Sequence, residues 1–140
     1  MKTWITYAVI SMFFAGFTSV IAKIGLHGIS GELGLTIRTF FVFAIVIIFA
    51  AISVPYRQIA QLTYHNYLWL AISGATTALS WIFYYKALKE GQVSTIALID
   101  KGSMVVAIVL AYFILKEQIT LKTVLGGLLI IAGLVVIARK

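Results

Sequence analysis

The chain has 140 residues, of which 62% are hydrophobic and only 11% are charged, and its mean hydropathy is +1.08. A soluble domain carries about 25% charged residues because its surface must face water, so this composition excludes an ordinary soluble domain. The net charge of +7 does not indicate nucleic-acid binding, because most of the cations flank long apolar runs, as they do at a bilayer surface.

Five apolar segments are long enough to cross a bilayer, which takes roughly 20 helical residues. They are residues 4–26, 33–54, 68–88, 93–115 and 121–138. The first begins like a signal peptide but continues without a small-residue cleavage site, which favours a retained span. The sequence therefore predicts an all-α polytopic integral membrane protein in which residues 1–140 form a single transmembrane domain of five helices.

Turn residues separate these segments. Gly28 suits a left-handed helix C-cap, Pro55 ends the second helix, and Thr120 is an N-cap for the fifth. The connection 55–67 is rich in tyrosine, which is typical of an interfacial aromatic belt. Short connections make consecutive helices antiparallel, and an odd number of helices places the two termini on opposite sides of the membrane.

Five charged residues lie inside the predicted spans: Lys23, Arg38, Lys86, Asp100 and Lys101. At 1.5 Å per residue, Arg38 lies about 7.5 Å deep and Asp100 about 10 Å deep. Charges at such depth are costly in lipid, so they face each other or a water-filled cavity. Lys23 and Lys86 are near helix ends and can extend to the interface. Together the four cations and one carboxylate predict a cationic vestibule that includes Lys23 and Lys86.

The two deep charges allow more than one interpretation. Arg38 and Asp100 can form a structural ion pair between the second and fourth helices, or Asp100 can carry a coupling proton. Lys101 follows Asp100 directly, so the two side chains point about 100° apart and are not expected to pair.

Polar residues recur on one face of the first and third helices. Ser11, Ala15, Ser19 and Lys23 are four residues apart, and the third helix carries a second polar arc. Such stripes are packing seams or walls of a pathway. The residues predicted to line a substrate pathway are Ser11, Ser19, Arg38, Thr77, Trp81, Tyr84, Asp100, Lys101 and Ser103. The glycines of the fifth helix indicate packing or dimerisation.

No catalytic signature is present. The sequence lacks a Ser/His/Asp set, a pair of metal ligands and a phosphate-binding glycine loop, and it has no cysteine. Both histidines lie in connections. The sequence therefore predicts neither an enzyme nor a bound metal or cofactor.

From the third helix onward, the chain resembles the EamA-type domain of the drug/metabolite transporter superfamily. The segments that carry the resemblance are 74–81 (GATTALSW), 84–91 (YYKALKEG), 99–103 (IDKGS), 115–117 (LKE) and 126–133 (GGLLIIAG). In the first two helices it rests on Ala15-Gly16-Phe17, Lys23 and Arg38. The absence of a proline near Asp100 is similar to the short five-helix branch. The first helix lacks the glutamate that four-helix multidrug exporters use, so proton-coupled export of cationic drugs is not implied.

This resemblance implies one half of an inverted-repeat transporter, a multi-pass protein of the cell (inner) membrane that exports small metabolites by alternating access. Five helices complete such a pathway by pairing with an inverted copy, as an antiparallel homodimer, or with a paralogue. Without Arg38 and Lys101, the cations are almost evenly divided between the two sides, which favours dual topology. The cationic vestibule favours anionic or zwitterionic substrates. A dual-topology ion channel and a non-transporting structural subunit of a membrane complex are the alternatives.

Overall fold

The computed structural model describes residues 3–138, and these form helices connected by short turns, with no strand among them. The helices are α1 (Thr3–Gly25), α2 (Gly31–Ser53), α3 (Tyr56–Ala60), α4 (Tyr64–Glu90), α5 (Val93–Asp100), α6 (Ser103–Leu115) and α7 (Leu121–Ala138). The predicted spans correspond to α1, α2, α4, α5 with α6, and α7. The all-α polytopic fold predicted from the sequence is therefore confirmed.

The length and composition of the helices fit a membrane. Three helical stretches are long and apolar enough to cross one: Thr3–Gly25, Gly31–Ser53 and Val93–Leu115. α7 is apolar but shorter, with 18 residues. α4 has 27 residues, but its hydroxyl and amide side chains make it less apolar than the others. The least apolar long helix is the one in which the sequence predicts a polar face.

The described residues have almost no buried core. Leu26, Tyr85 and Leu88 are the buried apolar side chains, while side chains such as Ile52 and Leu129 are 81% and 74% exposed. Burial of apolar surface is what stabilises a soluble fold, and a monomeric soluble protein rarely exposes contiguous apolar patches above a few hundred Å². The exposed side chains are therefore surfaces for lipid or for another protein.

Local residues fix the turn between α1 and α2 and the end of α2. Gly28 has a φ of +75°, the left-handed conformation predicted for it, which a glycine adopts without steric cost. The Ser30 hydroxyl caps α2 by accepting a hydrogen bond from the Leu33 N–H at 3.2 Å. Pro55 follows the end of α2, as predicted. The short helix α3 lies in the connection 55–67, for which no helix was predicted.

Two threonines cap the starts of α4 and α7. The Thr120 hydroxyl accepts from the Thr123 N–H at 3.3 Å, which confirms the predicted cap. Thr63 accepts in the same way from the Asn66 N–H at 3.4 Å, so α4 starts before the apolar run from which the span 68–88 was predicted. Capping of polar first turns extends this helix beyond its apolar part.

Backbone contacts divide the chain into two compact units, each described here by itself. One unit comprises residues 21–90, in which α2 packs against α4. The other comprises residues 1–20 and 91–140, in which α7 packs against α5 and α6. The single domain over residues 1–140 stays a prediction.

The fourth predicted span is interrupted in the structure. Residues 93–115 form α5 and α6, and around the junction the backbone bonds run from residue i to i−3: Gly102 N–H donates to Ile99 O at 2.9 Å and Met104 N–H to Lys101 O at 3.1 Å. The helix tightens into a 3₁₀ turn here. A Cβ at Gly102 would lie 3.0 Å from both Ile99 O and Leu134 Cδ1, so glycine allows α7 to approach the junction closely.

Candidate functional site

The unit of residues 21–90 contains a cleft of about 890 Å³ between α2 and α4. We call it the α2–α4 cleft. Its polar lining residues are Glu32, Thr36, Thr39, Ser73, Thr77 and Lys86, and Trp81 lies among them. The hydroxyls of Thr36 and Thr77 donate to Glu32 O and Ser73 O of their own helices, both at 2.9 Å. Their oxygen atoms therefore remain available to the cleft as acceptors.

A lysine and a glutamate on facing helices form an ion pair in this cleft. Lys86 Nζ lies 3.5 Å from Glu32 Oε1, and the two side chains are 53% and 61% exposed. The contact joins the last turns of α4 to the first turn of α2, so the two helices run antiparallel. Because both groups are exposed, the pair contributes little to stability and leaves both charges accessible.

Arg38 lies against two aromatic rings of α4. Its guanidinium carbon is 4.3 Å from the centroid of Trp81 and 5.9 Å from that of Tyr85. Cation–π contacts of this kind stabilise by about 2 kcal/mol where water is excluded. The Arg38 Nη1 atom is buried and has no hydrogen-bond partner among the described residues, whereas the residue as a whole is half-buried.

Two lysines join the ends of α1 and α4. The Lys23 ammonium donates to Leu88 O and, at 3.3 Å, to Lys89 O. In return, the Lys89 ammonium donates to Leu26 O at 3.2 Å. Each lysine thus satisfies carbonyl groups that the other helix end leaves without intrahelical partners. Cations are also favoured at the negative ends of the helix dipoles.

The unit of residues 1–20 and 91–140 contains a second groove, of about 760 Å³, between α1 and the α5–α6 region. We call it the α1–α5 groove. Small and polar side chains dominate its lining, among them Ser11, Ala15, Ser19, Ser94, Ala97 and Lys101. The face of α1 that the four-residue spacing predicts is therefore the face that lines a groove.

Asp100 and Lys101 form an ion pair at the junction of α5 and α6, with 3.6 Å between Lys101 Nζ and Asp100 Oδ2. The expectation that these neighbours do not pair is wrong. Asp100 is the last residue of α5 and Lys101 lies in the tightened turn, so regular helical spacing does not apply. The carboxylate that was predicted deep in a span thus has a cation beside it.

The structure brings several of the predicted pathway residues together. Ser11, Ser19 and Lys101 line the α1–α5 groove. Thr77, Trp81 and the vestibule residue Lys86 line the α2–α4 cleft, where Trp81 also contacts Arg38.

The remaining predicted residues lie elsewhere. The ring of Tyr84 lies 6.5 Å from that of Tyr85, Ser103 begins α6, and Lys23 binds the end of α4. Arg38 and Asp100 belong to different units, so an ion pair between them stays a prediction.

Sequence reasoning missed Glu32, Ser94 and Lys89. Glu32 was placed just outside the second span, although an acidic residue in the first turn of a helix is a stabilising feature. Lys89 was likewise placed just beyond the third span, in the position where a lysine can bind the last carbonyls of a helix. Both residues could have been found as charges at helix ends: Glu32 at the start of α2 beside the end of α4, and Lys89 at the end of α4 beside the end of α1.

Apolar helices of membrane length that enclose polar grooves define a polytopic membrane protein that can offer a hydrophilic route to a solute. The sequence matches the model of the EamA-like transporter family over residues 2–139. It is also 31% identical over 137 residues to an uncharacterized transporter in the cobO 3′ region of Sinorhizobium sp., covering 98% of this chain and 97% of the relative.

The chain therefore belongs to the EamA-like transporter family, and it is a multi-pass membrane transporter. No solved structure matches it. Within residues 3–138, no three histidine, aspartate or glutamate side chains are grouped so that they could hold a metal ion.

Proposed function

We propose that this protein exports small metabolites across the cell (inner) membrane by alternating access, working as an antiparallel homodimer. The observation that supports the proposal is that each unit has a groove in which hydroxyl and charged side chains lie among apolar ones. A groove lined by hydroxyls and charges would be unfavourable against lipid but suits a solute in water. We propose that residues of both grooves contribute to the substrate pathway.

The antiparallel homodimer follows from the number of spans and from the charge distribution. Transporters of this plan use two repeats of opposite orientation, and a chain with an odd number of spans supplies both only by inserting both ways. Reporters active in one compartment only, fused to the carboxyl terminus, test this. Comparable signals from both compartments are expected. Signal from one compartment alone contradicts dual insertion and favours a paralogous partner.

Solute flux tests the transport function itself. Proteoliposomes loaded with a metabolite extract are expected to release a limited set of compounds, identified by mass spectrometry, faster than protein-free vesicles. Thr77→Trp should reduce this release because it fills the α2–α4 cleft. The matched control is Leu129→Trp, at an exposed position of α7, and it should leave release unchanged. Release identical to that from empty vesicles contradicts the proposal.

The structure offers one observation against a purely structural subunit. Such a subunit needs no pathway, and its charges would then be paired with one another. Glu32 and Asp100 are paired with Lys86 and Lys101, but the buried nitrogen of Arg38 has no hydrogen-bond partner among the described residues. An ion channel would conduct under voltage, so planar-bilayer recording separates that alternative from a transporter.

A further inference from the structure

We propose that Arg38, stacked on Trp81, binds a carboxylate of the transported solute. The inference deepens the proposed function and rests on it, because it names the chemical class of substrate: small organic anions, or zwitterions, that bear a carboxylate. The observation behind the inference is that Arg38 lies in a membrane helix and that residues 21–90 provide no anion to pair with it.

The charge balance of this unit leaves Arg38 without an acidic partner. Residues 21–90 contain two acids, Glu32 and Glu90. Glu32 pairs with Lys86. Glu90 is the last residue of α4, and Trp81, which Arg38 contacts, lies nine positions earlier, or about 13 Å along the helix. Neither acid of the unit therefore neutralises Arg38.

The geometry of the contact leaves hydrogen-bond donors unused. A guanidinium has five N–H donors and accepts none. The Trp81 ring at 4.3 Å covers one face and attracts the positive charge, but it does not replace the oxygen acceptors that water would supply. Nη1 is buried without a partner among the described residues, so a ligand reaches it only if neighbouring side chains move. Because Arg38 is only half-buried, part of its side chain remains accessible to a ligand.

A carboxylate fits the geometry of these donors, as a phosphate does. The planar guanidinium binds a planar carboxylate through two parallel N–H···O bonds, and the Trp81 ring lies 4.3 Å from its carbon. An ammonium group would provide a point charge without this directionality. Arginine and lysine should therefore not be equivalent at position 38.

Nitrogen-15 spectra of arginine side chains test the binding directly. The sequence contains three arginines, Arg38, Arg57 and Arg139, so a variant with Arg57→Lys and Arg139→Lys gives one guanidinium signal. In phosphatidylcholine nanodiscs, we expect 4-methylpentanoate to shift this signal, and its neutral amide, 4-methylpentanamide, to leave it unchanged. No response to the carboxylate overturns the inference.

Two further experiments test whether another anion, from a lipid or from Asp100, binds Arg38. The phosphate of phosphatidylcholine is neutralised by its own choline, so the titration is repeated with anionic phosphatidylglycerol in the nanodisc. Asp100→Asn removes the acid that the sequence predicted as a partner. We expect neither change to shift the signal. The inference is overturned if the anionic lipid shifts the Arg38 signal and 4-methylpentanoate does not. It is also overturned if Asp100→Asn shifts the signal and 4-methylpentanoate does not.

Flux of the same probe distinguishes failure of this inference from failure of the proposed function. In proteoliposomes, Arg38→Gln should raise the KM for 4-methylpentanoate about 10- to 100-fold, since a hydrogen-bonded charge pair is lost, and Arg38→Lys should recover only part of the loss. Arg57→Gln, on α3, is the matched control and should change nothing. Binding without flux contradicts transport but leaves the Arg38 site standing. If Thr77→Trp blocks the flux of the probe and Arg38→Gln leaves it unchanged, the Arg38 site alone is overturned.

Discussion

The two units hold their charged groups in different ways. In residues 21–90, charged contacts join different helices: Lys86 to Glu32, and Lys23 and Lys89 across the ends of α1 and α4. In the described part of the other unit, the ion pair joins two sequence neighbours, Asp100 and Lys101. There the helices meet through glycines and aliphatic side chains, such as Gly102 with Leu134 and Gly127 with Ile108.

This difference indicates where each unit can change its shape. Contacts that cross between helices fix the relative positions of α1, α2 and α4 ends, whereas a local pair between neighbours fixes nothing beyond its own turn. The 3₁₀ turn at Lys101 and Gly102 also lies in the second unit. Mid-helix 3₁₀ segments often mark hinges. We therefore expect the α5–α6 junction to move during transport and the α2–α4 pair to move as one body.

The largest effect is expected from Gly31→Val, which tests the rigid side of the comparison. A Cβ at Gly31 would lie 2.9 Å from the backbone oxygen of Tyr85, which cannot give way as a flexible side chain would. Overpacking of this kind costs about 3 kcal/mol, measured as a loss of thermal stability in detergent. Gly25→Val, at the last residue of α1, is the matched control, since its Cβ would meet nothing within 4 Å. Equal effects of the two variants would contradict the packing described for α2 and α4.

Lys23→Met should have the next largest effect. It removes the ammonium that donates to Leu88 O and Lys89 O at the end of α4, and hydrogen bonds to charged groups contribute about 2 kcal/mol. Lys122→Met, at the start of α7, is the control and should be neutral or slightly stabilising, because a cation is unfavourable at a helix N-terminus. If Lys23 only extends to the membrane interface, the two variants will have the same stability as the wild type.

Gly102→Ala tests the packing of the α5–α6 junction. Its Cβ would lie 3.0 Å from Leu134 Cδ1 and from Ile99 O, so we expect a cost of about 1 kcal/mol and slower transport. Leu134→Ala makes room on one side, and a double-mutant cycle should show that the two changes are coupled. Strictly additive effects would mean that α7 does not restrict the junction.

The smallest effect is expected from the exposed ion pair. Glu32→Gln and Lys86→Met should each change stability by less than about 1 kcal/mol, since solvent screens a pair that is exposed by more than half. A double-mutant cycle of Glu32 and Lys86, measured at low and high salt, should show a coupling free energy that becomes smaller at high salt. A coupling that is large and independent of salt would place these groups in a drier environment than the structure shows.

The sequence was sufficient to predict the fold class and the positions of the long helices, because apolar length and turn residues are local signals. The left-handed Gly28, the break at Pro55 and the cap at Thr120 were all local and were confirmed. The start of α4 was missed because Thr63 caps a polar first turn that hydropathy does not detect. The interruption at Lys101 was missed because residues 93–115 are apolar on average despite Asp100 and Lys101, so hydropathy indicates one continuous span.

Helical periodicity was sufficient to predict which helix faces belong to the candidate site, but not which residues contact each other there. Four-residue spacing predicted the α1 face that lines the α1–α5 groove. Of the arc predicted on α4, Ser73 and Thr77 line the α2–α4 cleft, whereas Tyr84 is not among its lining residues. The partner of each charge could not be found in this way, because it depends on which helix ends meet. Lys86 with Glu32, and Arg38 with Trp81, are contacts between residues more than 40 positions apart, and no local pattern encodes them.

We propose that the two grooves carry water and substrate while the remaining helix surface faces apolar surroundings. The chain has no cysteine, so single cysteines can be introduced without background and labelled in liposomes with a membrane-impermeant thiol reagent. Cysteines at Ser11 and Thr77 are predicted to react quickly, and one at Leu129 of α7, which is also exposed, to react slowly. Labelling of Ser11 and Thr77 that is as slow as that of Leu129 would contradict the claim.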